Sequence, residues 1–386
     1  MARAVDETMA GVALRHLQKS YGAQAIFEDF TLEIADGELL CLLGPSGSGK
    51  TTLIRLIAGL EPLQGGEIWI GDTDVSALEP RDRHIGMTFQ GYALYPHMSV
   101  RRNLLYPLDV RGVGRAEAER RVDTTARMLG IHHLLDRRVQ QISGGEQQRV
   151  AIGRAIVQQP QLYLLDEPIS NLDASLRESV RGEIRRLQQE LRATMVIVTH
   201  DQMDALAIAD RIAVLHNGKL RQVGTPQQLY QQPTNEFVAG FIGRLRMNFL
   251  SGRITPESGP VLQGDGFALR LPTSLDVHRS AHPTGVTLGV RPDAFDVLSA
   301  PADDAWTTSV DAMQFQGDQL VATVRLGTTA VRVILSEPPL ADGPLWLRPK
   351  RGALHFFDRA TGERIVDAVP PERGSPDLHY PQGVNA

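Results

Sequence analysis

Gly44, Pro45, Ser46, Gly47, Ser48, Gly49, Lys50 and Thr51 match the spacing of a phosphate-binding loop. An apolar run at 39–43 leads into them and a helical run opening at Thr52 follows, the strand, loop and helix setting that this chemistry needs. The glycines let the backbone curl so that several N–H groups converge on an anion, and the start of the helix adds its dipole. Lys50 is expected to reach the β- and γ-phosphates of ATP, and Thr51 to offer its hydroxyl to Mg²⁺. A second apolar run, Leu162, Tyr163, Leu164 and Leu165, ends in two carboxylates, Asp166 and Glu167. Asp166 is expected to hold Mg²⁺ through water, and Glu167 to polarise a water that attacks the γ-phosphate.

These residues need a scaffold that brings separate strand ends to one edge. From 11 to 241, short apolar runs alternate with helical patterns, the order of an α/β domain with a largely parallel sheet. The runs at 39–43, 85–89, 162–165 and 195–199 read as strands buried on both faces. From 174 to 192, Leu176, Val180, Ile184, Leu187 and Leu191 recur at helical spacing. The stretch 91–159 is arginine-rich, carries no convincing strand and reads as an inserted helical subdomain. After Gly243 come short alternating runs, such as 285–290, 319–326 and 329–335, which predict a second, all-β domain built as a small OB-like barrel. The expected domains are 1–240 and 241–386, with a frayed polar tail after Val369.

Bulk properties narrow the classes. A chain of 386 residues favours two domains, and 42% hydrophobic with 22% charged residues is an ordinary globular balance. A net charge of -5 argues against a broad nucleic-acid-binding surface. The single cysteine, Cys41, has no intramolecular partner for a disulfide and lies in an apolar run, which fits a buried thiol in a reducing compartment. No stretch reaches the ~20 apolar residues of a membrane span, and 1–11 lacks the apolar core of a signal peptide, so any membrane role is expected to run through another chain.

Ile142, Ser143, Gly144, Gly145, Glu146, Gln147, Gln148 and Arg149 precede a helix and resemble the signature motif of ABC ATPases. The resemblance implies that Ser143, Gly144, Gly145 and Glu146 face ATP held by the phosphate loop of a second copy. It implies four more roles. Tyr21 takes the place of the aromatic that stacks on adenine, and Gln90 that of the glutamine linking Mg²⁺ to the transport subunit. Asp173, in Asn171-Leu172-Asp173, lies where two subunits meet, and His200 resembles the switch histidine at the γ-phosphate. With residues 44–52, Tyr21 and Gln90 complete the implied nucleotide set. Glu146 departs from the family's commonest signature, which has glutamine there.

The run from Gly91 to Val100, Phe241-Ile242-Gly243, Met247-Asn248-Phe249-Leu250 and Gly289-Val290-Arg291-Pro292-Asp293 resemble segments of sugar-importer ATPases. That branch implies a homodimer docked on integral membrane permeases at the cytoplasmic face, served by an extracytoplasmic solute-binding protein, and carrying a sugar, polyol or glycerol phosphate. Importers of polyamines, iron or sulfate share the plan and stay open, as does a soluble ABC ATPase. In the second domain, His278, His282 and His355 lack ligand spacing.

Overall fold

The computed structural model describes residues 10–170, 174–255, 261–271, 285–302, 305–317, 319–338, 343–350 and 352–365, with backbone alone at 174 and 175. The chain divides into two compact units, Met1–Leu229 and Tyr230–Ala386.

The first unit opens with β1 (Val12–Tyr21), β2 (Gln24–Ile34), β3 (Leu39–Leu43), α1 (Lys50–Ala58), β4 (Gly65–Ile70), β5 (Thr73–Asp74) and β6 (Ile85–Thr88). Three helices follow, α2 (Val100–Val110), α3 (Arg115–Met128) and α4 (Gly144–Ile156). Next come β7 (Leu162–Asp166), α5 (Ala174–Leu191), β8 (Thr194–Thr199), α6 (Gln202–Ile208), β9 (Arg211–His216) and β10 (Lys219–Gly224), and the division falls within the following helix α7 (Pro226–Gln231). The main sheet has the order β10-β9-β3-β8-β7-β6, parallel except where β10 meets β9. Strands β3, β7 and β8 are buried throughout, which is why they read as continuous apolar runs. The region 91–159 departs and returns between the paired neighbours β6 and β7 as helices, in keeping with an inserted helical subdomain.

A second sheet, β2-β1-β4-β5, is antiparallel and lies outside the parallel arrangement expected from the sequence. Both sheets share one core with α1, in which Leu14, Phe27, Leu53, Ile57, Leu164 and Val196 are almost fully enclosed. Each such side chain contributes about 1.5–3 kcal/mol through the area it removes from water.

The second unit begins earlier than residue 240. The helix α8 (Glu236–Phe241) belongs to it, because Arg291 donates to the carbonyls of Tyr230 and Ile242 at 2.7 and 2.8 Å, and Glu236 N–H donates to Gly362 O at 2.8 Å. Its strands are β11 (Asn248–Thr255), β12 (Val261–Gly264), β13 (Phe267–Arg270), β14 (Val286–Val290), β15 (Phe295–Leu298), β16 (Trp306–Gln316), β17 (Gln319–Leu326), β18 (Thr329–Leu335), β19 (Leu345–Pro349) and β20 (Leu354–Asp358). They form two five-stranded antiparallel sheets, β13-β12-β11-β14-β20 and β15-β19-β16-β17-β18, around one apolar core. The Asn248 side chain joins them, exchanging hydrogen bonds at 2.8 Å with the backbone of Arg332.

Candidate functional site

The parallel strands end at one edge, and the expected chemistry collects there. The loop 44–49 links β3 to α1. Gly49 caps the helix with φ 103°, a left-handed conformation suited to glycine, and turns the chain into α1, whose first N–H groups have no acceptor within the helix. Lys50 is only 7% exposed, and its Nζ donates to the carbonyls of Gly44 and Pro45 at 2.8 and 2.9 Å. Burial pushes its ammonium below the usual range, while the carboxylates of Glu167 and Asp166 act in the opposite sense. Thr51 is exposed and Thr52 half-buried on the first turn of α1, and Ser46 and Gly47 are exposed at the loop's crest.

Asp166 ends β7 and is buried. Burial first, then the charge of Glu167, raises its carboxyl above the ordinary range, with Arg55 and Lys50 pulling it back. The next residue, Glu167, has φ 47°, a left-handed backbone unfavourable for a side chain of this size. Its N–H is held by Val198 O of β8 at 3.0 Å. This turn aims the carboxylate at residues from two other strand ends. Gln90, just beyond β6, donates from Nε2 to Glu167 Oε2 at 2.9 Å, and His200, just beyond β8, lies with Nδ1 3.1 Å from Glu167 Oε1. Three residues far apart in sequence thus meet at one carboxylate.

The remaining expected residues are spread more widely. Tyr21 ends β1 and is 45% exposed, and the Lys19 ammonium lies 4.8 Å from the ring centroid. Ser143 caps α4, with Gly144 and Gly145 forming the first turn, and among the described residues the hydrogen bonds of Ser143 run to its own helix. The charge that Glu146 brings to the signature is drawn into this cap. Asp173 lies outside the described residues.

Several supporting residues carry no local signal in the sequence. Gln148 of α4 is buried and donates to Pro168 O, tying the signature helix to the turn after Glu167. Arg177, Arg181 and Arg185, four apart on α5, bind Asp201, Asp204 and Asp210 at 2.6, 2.7 and 2.6 Å. Asp201 follows His200 directly and caps α6, so this ladder fixes the strand end that carries the histidine. Arg154 donates to Ala93 O and Tyr92 O, where the backbone is left-handed, and sits 5.5 Å from the Tyr95 ring centroid. The partners of the α5 arginines are set only by the fold.

Comparison with known proteins bears on this geometry. The family model described as ABC transporter matches residues 27–170. The sulfoquinovosyl glycerol transport ATP-binding protein SmoE of Agrobacterium fabrum is 45% identical over 367 residues, 93% of this chain and 100% of that protein. The chain belongs to the ABC transporter ATP-binding protein family. The sn-glycerol-3-phosphate import ATP-binding protein UgpC of Escherichia coli is 43% identical over 360 residues, 92% of this chain and all of that protein. A dimeric structure of the ATP-binding cassette MJ0796 in a post-hydrolysis state with ADP and Pi is 30% identical, with a TM-score of 0.50 over 56% of this chain and 98% of that one. As an ABC ATPase the chain binds and hydrolyses ATP, and the resemblance to that family and the α/β fold with an all-β C-terminal region are both borne out.

Proposed function

We propose that this chain is the ATP-hydrolysing subunit of an importer for a sugar, a polyol or a glycerol phosphate. The observation that carries the reading is likeness across nearly the whole chain, second unit included, to two transport ATP-binding proteins whose named cargoes are a glycosylated glycerol and glycerol 3-phosphate. No described helix is long and apolar enough to cross a membrane. Separate permease subunits then supply the pore, this chain docks on them at the cytoplasmic face, and an extracytoplasmic binding protein delivers the solute.

Two copies bind two ATP molecules head to tail, each nucleotide between one phosphate loop and the other copy's Ser143, Gly144 and Gly145, with Asp173 at the junction and Tyr21 against adenine. Lys50 exchanges its loop carbonyls for β- and γ-phosphate oxygens. Glu167 accepts a proton from the attacking water, and the bonds from Gln90 and beside His200 fix its orientation. Mg²⁺, when bound, would neutralise charge on the phosphates. Thr51, Asp166 and Gln90 would hold it, and they fit: all offer oxygen, the Gln90 amide oxygen makes no bond among the described residues, and Asp166 is a buried carboxyl crowded by another. No cluster of three or more His, Cys, Asp or Glu side chains gathers to ligate a metal among the described residues, in keeping with an ion that takes its other ligands from phosphate and water. Closure of the pair moves the segment 90–100 against the permeases, and hydrolysis with phosphate release lets it return.

Replacing Glu167 with Gln tests the chemistry. Turnover should fall by about a hundredfold or more, the scale of a lost general base, while ATP-driven dimerisation persists. Undiminished hydrolysis would remove Glu167 from the role. The solute class is tested by measuring which of these compounds raises ATPase activity in the complex reconstituted with permeases and binding protein.

A further inference from the structure

Ser143 has a single hydroxyl proton, and it is already committed. Its Oγ donates to Glu146 Oε2 at 2.9 Å, the same carboxylate oxygen accepts the Ser143 backbone N–H at 2.7 Å, and Glu146 N–H returns to Ser143 Oγ at 3.4 Å. This reciprocal cap stabilises the start of α4. It also leaves Ser143 presenting oxygen lone pairs beside a carboxylate, whereas a phosphate needs a donor and a positive potential. The free N–H groups of a helix start favour an anion, and the carboxylate seated on that start opposes it. Glutamine at 146 keeps the same reach and an acceptor oxygen but removes the charge and weakens the claim on the hydroxyl. His133 and Arg137 also act electrostatically on the Glu146 carboxylate.

We infer that Glu146 is a positioning residue that withholds the Ser143 hydroxyl from nucleotide and so sets the ATP concentration at which two copies close. The inference rests on the proposed arrangement in which one copy's signature meets ATP carried by the other. Closure exchanges the Ser143 to Glu146 bond for a Ser143 to γ-phosphate bond.

A double-mutant cycle on the full chain tests it, with Glu167→Gln present throughout so that ATP is not consumed. Dimer formation is followed by sedimentation during titration with ATP and Mg²⁺, and Ser143→Gly removes the hydroxyl because glycine retains most of the N-cap preference. Glu146→Gln should lower the ATP concentration for half-maximal dimerisation by roughly tenfold, the scale of one charge-assisted hydrogen bond, and the gain should vanish when Ser143→Gly is also present. No gain, or a gain undiminished in the Ser143→Gly background, overturns the inference, since a bare charge effect needs no hydroxyl. If Ser143→Gly alone leaves dimerisation unchanged, the shared-nucleotide arrangement itself fails and takes the inference with it; impaired dimerisation in that variant with no gain from Glu146→Gln sinks the inference alone.

Discussion

At the carboxyl edge of the main sheet, Lys50 and Asp166 are buried with protonation displaced toward neutrality in both, and Glu167 holds a left-handed backbone. The second unit also buries charge. Arg291 is 4% exposed, yet its guanidinium meets the carbonyls of Tyr230 and Ile242 and lies 3.7 Å from the Tyr230 ring centroid. Burial lowers both Lys50 and Arg291, so desolvation alone does not separate a working site from a structural clamp. The difference lies in what satisfies the group. Arg291 is held by carbonyls fixed in separate elements, whereas Lys50 is held by carbonyls of its own loop, which on the proposed function a triphosphate would replace. Buried charge whose partners are provisional marks chemistry, and buried charge with permanent partners marks architecture.

The comparison breaks first at Gly44. A Cβ built there comes within 2.2 Å of Leu215 O, a backbone atom of β9 that cannot swing aside. Gly44→Ala should therefore destabilise the first unit by about 3 kcal/mol as well as weaken ATP binding. A urea midpoint for the intact chain equal to that of the parent would show that the phosphate loop is less tightly fitted to the sheet than this contact implies.

Arg291→Ala probes the other side. It leaves two buried carbonyls without their donor and should cost the second unit about 2–3 kcal/mol, read from fluorescence of Trp306, which is buried in that unit's core. ATP affinity of the first unit should be unchanged. A lost affinity would mean that the clamp serves the nucleotide site as well.

How far these two regions were legible in the sequence follows the same division. The phosphate loop and the strand ending in Asp166 and Glu167 were readable because glycine spacing and an apolar run are local signals. The resemblance gave Gln90 and His200 separate roles, and that both engage the Glu167 carboxylate is a property of strand order alone. The sheet β2-β1-β4-β5 was missed because β1 and β2 carry register shifts, between Leu14 and Leu17 and again near Lys19, which interrupt the alternation that marks a strand. The division at Leu229 and Tyr230 differs from the expected 240, and the Arg291 bond to Ile242 O that ties α8 to the second unit comes from a residue far along the chain, which leaves no local mark in the sequence. The reciprocal bonding of Ser143 and Glu146 was within reach, since serine followed three residues later by glutamate before a helix is a capping pattern.

The finest contrast concerns proton binding. His355 of β20 is 5% exposed, its Nδ1 has no partner among the described residues, and burial with the charges of Arg364 and Arg291 pushes its imidazole from the usual 6.5 to about 3. Below pH 6.5 the unfolded chain takes up a proton that the folded unit refuses until about pH 3, so stability falls as the pH drops through that window. Between neutral pH and pH 5 the loss should be about 2 kcal/mol, set by the 1.5-unit distance below the unfolded value at about 1.4 kcal/mol per unit. His355→Gln removes the titration. Its urea stability by Trp306 fluorescence should then decline less than the parent's over this range, with the two curves parallel above pH 7. Equal slopes throughout would place a proton acceptor or a compensating group beside His355, and the second unit would then hold a titrating site of its own.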